Sequence, residues 1–344
     1  MPEYLQKVGC FLALLCLANL FFITQNWEGS KQLFLSLQND GDSEETLRSE
    51  SLFSWLELKL PNVPVLFWSE RDAAVRQKCG EFPSVLDLHY NNRYWQEVHT
   101  SQGTFFLYGA YLDKRGGNSS IRVLGMFDHP EQPSLATFCQ LWFPNTTEPV
   151  LSQVEEYKQI YQYTILPKPF LLTCPIPETH KDMVPSSVSL VEQKCEVATT
   201  NLKVTYRPLG EGENKQNFAV CTKGINFPND NSPRLAEWIE LLTALGADKI
   251  FFYDLGVNRN VSHLLQHYSG KGRVGLAPLS LAGHQPNHPG LTHLYLKAKI
   301  GVIMQSELIP FNDCLYTNMQ RCVNNNSGCL FMLLRILNFY FAKP

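Results

Sequence analysis

Apolar positions fall into two regimes along the chain. Residues 103–112 (GTFFLYGAYL), 121–127 (IRVLGMF) and 135–143 (LATFCQLWF) are short runs of β type, and a Gly-Gly-Asn turn predicts a hairpin between the first two. From Phe218 onward the pattern becomes strand alternating with helix. Residues 218–227 (FAVCTKGINF) begin as an apolar strand that loosens at Lys223-Gly224. Ser232-Pro233 opens a helix with a cap and a proline at its first position, where no backbone N–H is needed. Leu235, Trp238, Ile239, Leu242 and Leu245 form one helical stripe, and Gly246 stands where a left-handed C-cap belongs. Residues 249–253 (KIFFY) read as a buried strand. Val261, Leu264, Leu265 and Tyr268 form a second helical face closed by Gly270, and residues 274–279 (VGLAPL) a third strand. This order predicts a parallel sheet that takes ligands at the carboxyl ends of its strands.

The amino terminus has a different character. Residues 8–23 are apolar apart from Asn19, follow Lys7 and lack a small-x-small cleavage site, which predicts an uncleaved type II signal anchor with the bulk of the chain luminal. The expected layout is a cytosolic tip and anchor over 1–24, an acidic stem over 25–60, a β-rich accessory domain over 61–210, the α/β unit over 218–319 and a divergent tail over 320–344. With 344 residues, 44% hydrophobic and 18% charged, the composition is ordinary for globular domains. A net charge of −3 argues against a nucleic-acid surface.

Beyond the anchor lie Cys79, Cys139, Cys174, Cys195, Cys221, Cys314, Cys322 and Cys329 with no C-x-x-C pair, so disulfides are expected, their connectivity open. Glycosylation sequons at Asn118, Asn145, Asn260 and Asn325 agree with a luminal setting.

Candidate chemistry is sparse. Asp40-Gly41-Asp42 is the one D-x-D, and it sits in a solvated stem rather than at a strand end. His263 and His267 lie off the apolar stripe, and His284, His288 and His293 lie among glycines and prolines, so no metal site is expected from them. Trp68, Trp95 and Trp142 are either core or a sugar-stacking groove. Lys223 follows the first strand where a nucleotide's base and ribose would lie. Tyr253-Asp254 ends the second strand at the same edge, with Asp254 either accepting from ribose or uracil or forming a simple turn. Asn312-Asp313 reads as the N-cap of a short helix. Glu237 and Glu307 read as solvated helix charges.

The strings FAVCTKGINFP, RLAEWIELLTALGADKIFFYDL, LAPLSLAGHQPNHPGLTHLYL and ELIPFNDCLYTNM, at this spacing, resemble glycosyltransferase family 92, once catalogued as domain of unknown function 23. The resemblance covers residues 218–319 closely and 103–177 more loosely. It implies a GT-A (Rossmann-like) fold and a Golgi enzyme that transfers a sugar, galactose from UDP-galactose, to a glycan acceptor using Mn2+. It also adds a donor-pocket role for Asn312 and Asp313. In the family a buried strand ending in a D-x-D-E type motif follows; here Gln320 leads into an acid-free tail. The expectation is an incomplete GT-A domain without its metal-bearing strand, inactive or serving as a non-enzymatic luminal module that binds glycan or nucleotide. Val323-Asn324, encodable as GTA-AAT, resembles a splice donor, so residues 323–344 are expected to derive from a retained intron or a misplaced exon end.

Overall fold

The computed structural model describes residues 52–334, apart from 58, 70–78, 85, 116, 134–136, 145, 161–164, 209–217 and 322–329. The anchor, most of the stem with Asp40-Gly41-Asp42, and the sequons at Asn145 and Asn325 lie outside the described residues. Among the described residues no helix is long and apolar enough to cross a membrane. The chain divides into Met1–Leu58 and Lys59–Pro344, and the architecture below is that of the second unit.

After a short helix α1 (Val65–Ser69) come ten strands: β1 (Tyr90–Asn92), β2 (Trp95–Thr100), β3 (Gly103–Asp113), β4 (Ser120–Asp128), β5 (Phe138–Trp142), β6 (Val150–Gln153), β7 (Glu156–Gln159), β8 (Lys168–Pro175), β9 (Ser187–Val191) and β10 (Leu202–Thr205). They form one sheet in the order β6-β5-β9-β10-β3-β4-β8-β7, with β2 and then β1 attached to β3. The expected β3–β4 hairpin is present, antiparallel from Thr104–Asp128 to Asp113–Ser120. Cys139 of β5 and Cys174 of β8 are disulfide-linked although four strands separate them in the sheet, so the sheet rolls over on itself around a core that includes Phe105, Leu107, Leu112 and Phe170.

Strand β3 buries both faces, and one irregularity decides which residue goes where. Phe105 and Leu107 enter the roll core, but after a register shift at Gly109 the core residues become Ala110 and Leu112. An extra residue exchanges the faces of a strand. Tyr111 is thereby turned out of the roll and into a second core with Phe106 and Tyr108. Gly109 is required at this point, because a Cβ there would sit 2.6 Å from the Tyr111 hydroxyl.

The second sheet is parallel: β11 (Phe218–Phe227), β12 (Lys249–Val257), β13 (Val274–Pro278) and β14 (Leu330–Leu334), in the order β13-β12-β11-β14. Helices α2 (Ser232–Ala244) and α3 (Arg259–Gly270) cover one face through Leu235, Ile239, Val261 and Leu265. Helices α4 (Pro289–Ala298), α5 (Ile300–Ser306) and α6 (Leu308–Asn318) follow, and α6 packs with the roll on the other face through Ile309, Phe311 and Cys314.

The two marked helices are found with small shifts at their starts. Asn231, not Ser232, precedes α2, and Asp230 accepts from the Ser232 N–H and hydroxyl. Asn258 caps α3, its side-chain oxygen accepting from the Asn260 N–H (2.9 Å). Gly246, the residue after the C-cap Leu245, has φ +97°, the left-handed conformation expected there. The expected loosening at Lys223-Gly224 is a break in the β11–β12 register. A fourth parallel strand, β14, runs beside Phe218 to Thr222. The edge of β11 that the sequence leaves open is therefore paired.

Candidate functional site

In this strand order the chain reverses direction between β11 and β14, and ligands of open parallel sheets bind outside the carboxyl ends at such a point. The carboxyl rim is built from Thr222 to Phe227, from Asp254 to Val257 and from the loop after β13. That loop is fastened to the first sheet: Trp95 Nε1 donates to the Ser280 carbonyl (2.8 Å), Asn92 Nδ2 to the Leu281 carbonyl (2.9 Å), and the Gly283 N–H to Asn91 Oδ1 (2.8 Å). The start of α4 crosses the other strands. Asn226 donates to the Leu255 and Pro289 carbonyls and meets His293 Nδ1 at 3.0 Å. Gly256, at φ +118°, lets Pro289 approach, since a Cβ there would lie 2.9 Å from the Pro289 Cβ.

The expected site residues occupy four different settings. Lys223 is buried and forms an ion pair with Glu307 between α5 and α6 (Nζ to Oε1 3.2 Å). Glu307 is thus not the solvated helix charge expected, but the counter-ion that makes a buried lysine tolerable. Tyr253 is also buried, and its hydroxyl donates to Asp313 Oδ2 at 2.5 Å, while Tyr111 of β3 donates to Asp313 Oδ1 at 2.5 Å. Asp313 lies inside α6, not at its N-cap. Burial pushes its carboxyl above the usual range, against the opposing pull of the two tyrosine hydroxyls and Arg207. Asn312 donates to the Leu308 carbonyl within the same helix (2.7 Å) and shows no outward bond.

Asp254 is the expected residue that stays at the rim. Its Oδ1 accepts from the Gly256 N–H (2.7 Å), and no lysine or arginine among the described residues is paired with it. Burial raises its pKa, and the backbone N–H groups of Gly256 and Val257 lower it. A half-buried carboxylate with backbone donors on one side and no cation is suited to accept from a neutral donor such as a ribose hydroxyl or an imide N–H.

The remaining acids after Phe218 are engaged elsewhere or face solvent. Asp248 accepts from the Phe218 N–H at the opposite end of the sheet, Asp230 from Ser232 and Asn260, and Glu240 from the Tyr268 hydroxyl; Glu237 is exposed on α2. Beyond β14 no acid occurs through Pro344. Among the described residues no three His, Cys, Asp or Glu side chains converge. His263, His267, His284 and His288 are exposed, as expected of solvated positions. Trp95 and Trp142 are fully buried core residues, which removes both from a sugar-stacking groove.

Sequence reading missed Tyr111, Glu307 and the Cys221–Cys314 disulfide that ties β11 to α6. The first two depend on long-range packing; the third involves cysteines whose pairing was open.

Residues 216–323 match the model of Glycosyltransferase family 92, which supports the resemblance and a glycosyltransferase at the level of the family. No curated protein matches the chain. Among solved structures, ferredoxin-NADP+ reductase from Plasmodium falciparum aligns at 10% identity over 65% of this chain and 80% of that one, with a TM-score of 0.19. A ferredoxin NADP+ reductase from Neisseria gonorrhoeae aligns at 11% identity over 65% and 94%, with a TM-score of 0.16. The flavohem-like FAD/NAD binding domain of nitric oxide dioxygenase from Vibrio cholerae O1 biovar El Tor aligns at 7% identity over 68% and 100%, with a TM-score of 0.16. Likeness at this level carries no argument about fold or activity.

Proposed function

We propose that the parallel sheet is a nucleotide-sugar site of the glycosyltransferase kind, held in the Golgi or ER lumen by a type II anchor, with a UDP-sugar such as UDP-galactose as donor and a glycan as acceptor. The observation that carries this reading is Asp254, a carboxylate without a cationic partner at the rim, inside the segment that matches the family. Its role is to accept from the uridine. Three disulfides, Cys79–Cys195, Cys139–Cys174 and Cys221–Cys314, support an oxidising compartment.

Turnover is a separate matter. Transfer from a nucleoside diphosphate sugar needs the charge on the leaving diphosphate offset, by a divalent metal or by fixed cations. Lys223 is paired with Glu307, and the sequence from Gln320 onward holds no acid where the resemblance expects them. The 344-residue chain is therefore proposed to contact uridine nucleotides without catalysing transfer. In calorimetric titration of the full chain, UDP is expected to bind weakly and equally with and without Mn2+. Asp254→Asn is expected to weaken binding about tenfold, the scale of one hydrogen bond to a charged group. UDP affinity unchanged in Asp254→Asn would remove the uridine role, and manganese-dependent transfer from UDP-galactose would overturn the inactive reading.

A luminal location also predicts glycans. Asn118 is exposed in the β3–β4 turn, open to modification. Asn260 sits in the first turn of α3 with its amide donating to Asp230 Oδ2 (2.6 Å), so it is held away from a modifying enzyme once folded. In secretory-pathway expression Asn118→Gln is expected to lose one endoglycosidase-sensitive mobility step and Asn260→Gln none. An unchanged Asn118→Gln pattern would count against luminal placement of this turn.

A further inference from the structure

The ring of His293 on α4 is held in one orientation and one tautomer by Asn226. Both hydrogens of the Asn226 amide are used, toward the Leu255 carbonyl (3.1 Å) and the Pro289 carbonyl (3.4 Å), so its Oδ1 is left to accept. His293 Nδ1 meets that oxygen at 3.0 Å and therefore carries the hydrogen. In the neutral ring the other nitrogen, Nε2, is then an acceptor. Nε2 has no partner among the described residues and is not sealed from solvent, although the residue as a whole is half-buried. The pair stands beside Asp254. Asn226 follows Ile225, the partner of Asp254 on the adjacent strand, and neighbouring strands lie about 4.8 Å apart. Pro289, about one helical turn before His293, packs on Gly256 of β12, so this side of α4 faces the end of the sheet. Asn226 already fastens the start of α4 through the Pro289 carbonyl, and attachment of the helix does not call for a histidine. What the histidine adds is an aimed lone pair. A ring whose far nitrogen is fixed by a hydrogen bond presents its near nitrogen to a ligand in a set direction.

We propose that His293 Nε2 accepts a hydrogen bond from a hydroxyl of a hexose bound at this rim, the hexose being carried either by UDP or by a glycan. The inference rests on the nucleotide-sugar reading of the rim and adds to it the group that holds the sugar, where Asp254 holds the uridine. Asn226 is a positioning residue, acting on the hexose only through the tautomer it imposes.

The test treats the full chain with diethylpyrocarbonate, which acylates an accessible, unprotonated ring nitrogen, and reads each histidine by peptide mass spectrometry. Expected is acylation of His293 in the free chain, reduced several-fold by UDP-galactose or by methyl galactoside and unchanged by UDP. The exposed His263 and His267 of α3 should react alike in every arm. Protection by UDP-galactose alone supports the proposal with the donor sugar as source of the hydroxyl, and protection by the galactoside alone supports it with the glycan as source. A His293 that does not react in the free chain, protection by UDP equal to that by UDP-galactose, or no protection where calorimetry shows a sugar ligand bound would overturn it. Calorimetry that detects no binding of UDP, UDP-galactose or the galactoside would overturn the nucleotide-sugar reading together with it. His293→Ala should weaken UDP-galactose binding several-fold, the scale of one hydrogen bond, and leave UDP unchanged. An equal loss for both ligands would count against a contact with the hexose, and the acylation of the parent chain stands whether or not that variant keeps its fold.

Discussion

Replacing Cys221 and Cys314 together by alanine is expected to lower the stability of the Lys59–Pro344 unit by about 4–5 kcal/mol, the chain-entropy value for a loop approaching a hundred residues. The bridge spans 93 residues and joins two side chains that are fully buried, so the loss of packing adds to the loss of the cross-link. The Cys79–Cys195 bridge spans 116 residues, yet Cys195 is exposed. Its removal is expected to cost the loop term alone. Denaturant unfolding under non-reducing conditions gives both midpoints. If the Cys221→Ala/Cys314→Ala protein unfolds at the same denaturant concentration as the parent chain, α6 is held by packing and not by the bridge.

Asp313→Ala is the second large effect, expected at about 2–4 kcal/mol, because it strands two buried tyrosine hydroxyls and each unsatisfied group costs roughly 1–3 kcal/mol. Burial of the carboxylate itself offsets part of that loss, which is why the upper end of the sum is not reached. Asp313→Asn keeps an acceptor and should cost less. The same group fixes a pH dependence. Its folded pKa lies above its unfolded value near 4, so the fold binds its proton more tightly, and the resulting stability is present below the unfolded pKa and lost as pH rises through the folded one. The advantage of the parent chain over Asp313→Asn should therefore shrink from acid toward neutral pH. A difference that stays constant across that range, or grows with pH, would show that Asp313 is not raised.

Local signals made much of the α/β unit legible. Pro233 and Gly246 bound α2, and the stripe from Leu235 to Leu242 is buried as its spacing requires. What failed was long-range or depended on irregular backbone. Asn312-Asp313 resembles a helix start, but α6 begins at Leu308, with Pro310 in its first turn, so both residues lie inside it. Glu307 stands at the α5–α6 junction, where no single periodic stripe extends, and only the position of β11 reveals its burial. Strand β14 is Leu, Phe and Met without a β-branched residue, a composition that does not separate strand from helix. Asp254 follows the apolar run KIFFY in the sequence, but β12 continues past it to Val257, and the Tyr111 contact required a shift at Gly109 that composition does not encode.

Asp313 and Cys314 are neighbours on α6, and they reach different parts of the unit: one accepts from β3 and β12, the other is bonded to β11. Successive helical residues point about 100° apart, so these two attachments fix the rotation of the helix about its own axis as well as its position. Deleting a single residue between Leu308 and Asn312 would swing both side chains away at once, and no sliding of the helix could restore either without losing the other. A conservative substitution at half-buried Leu315 should accordingly be tolerated far better than any change in the length of α6.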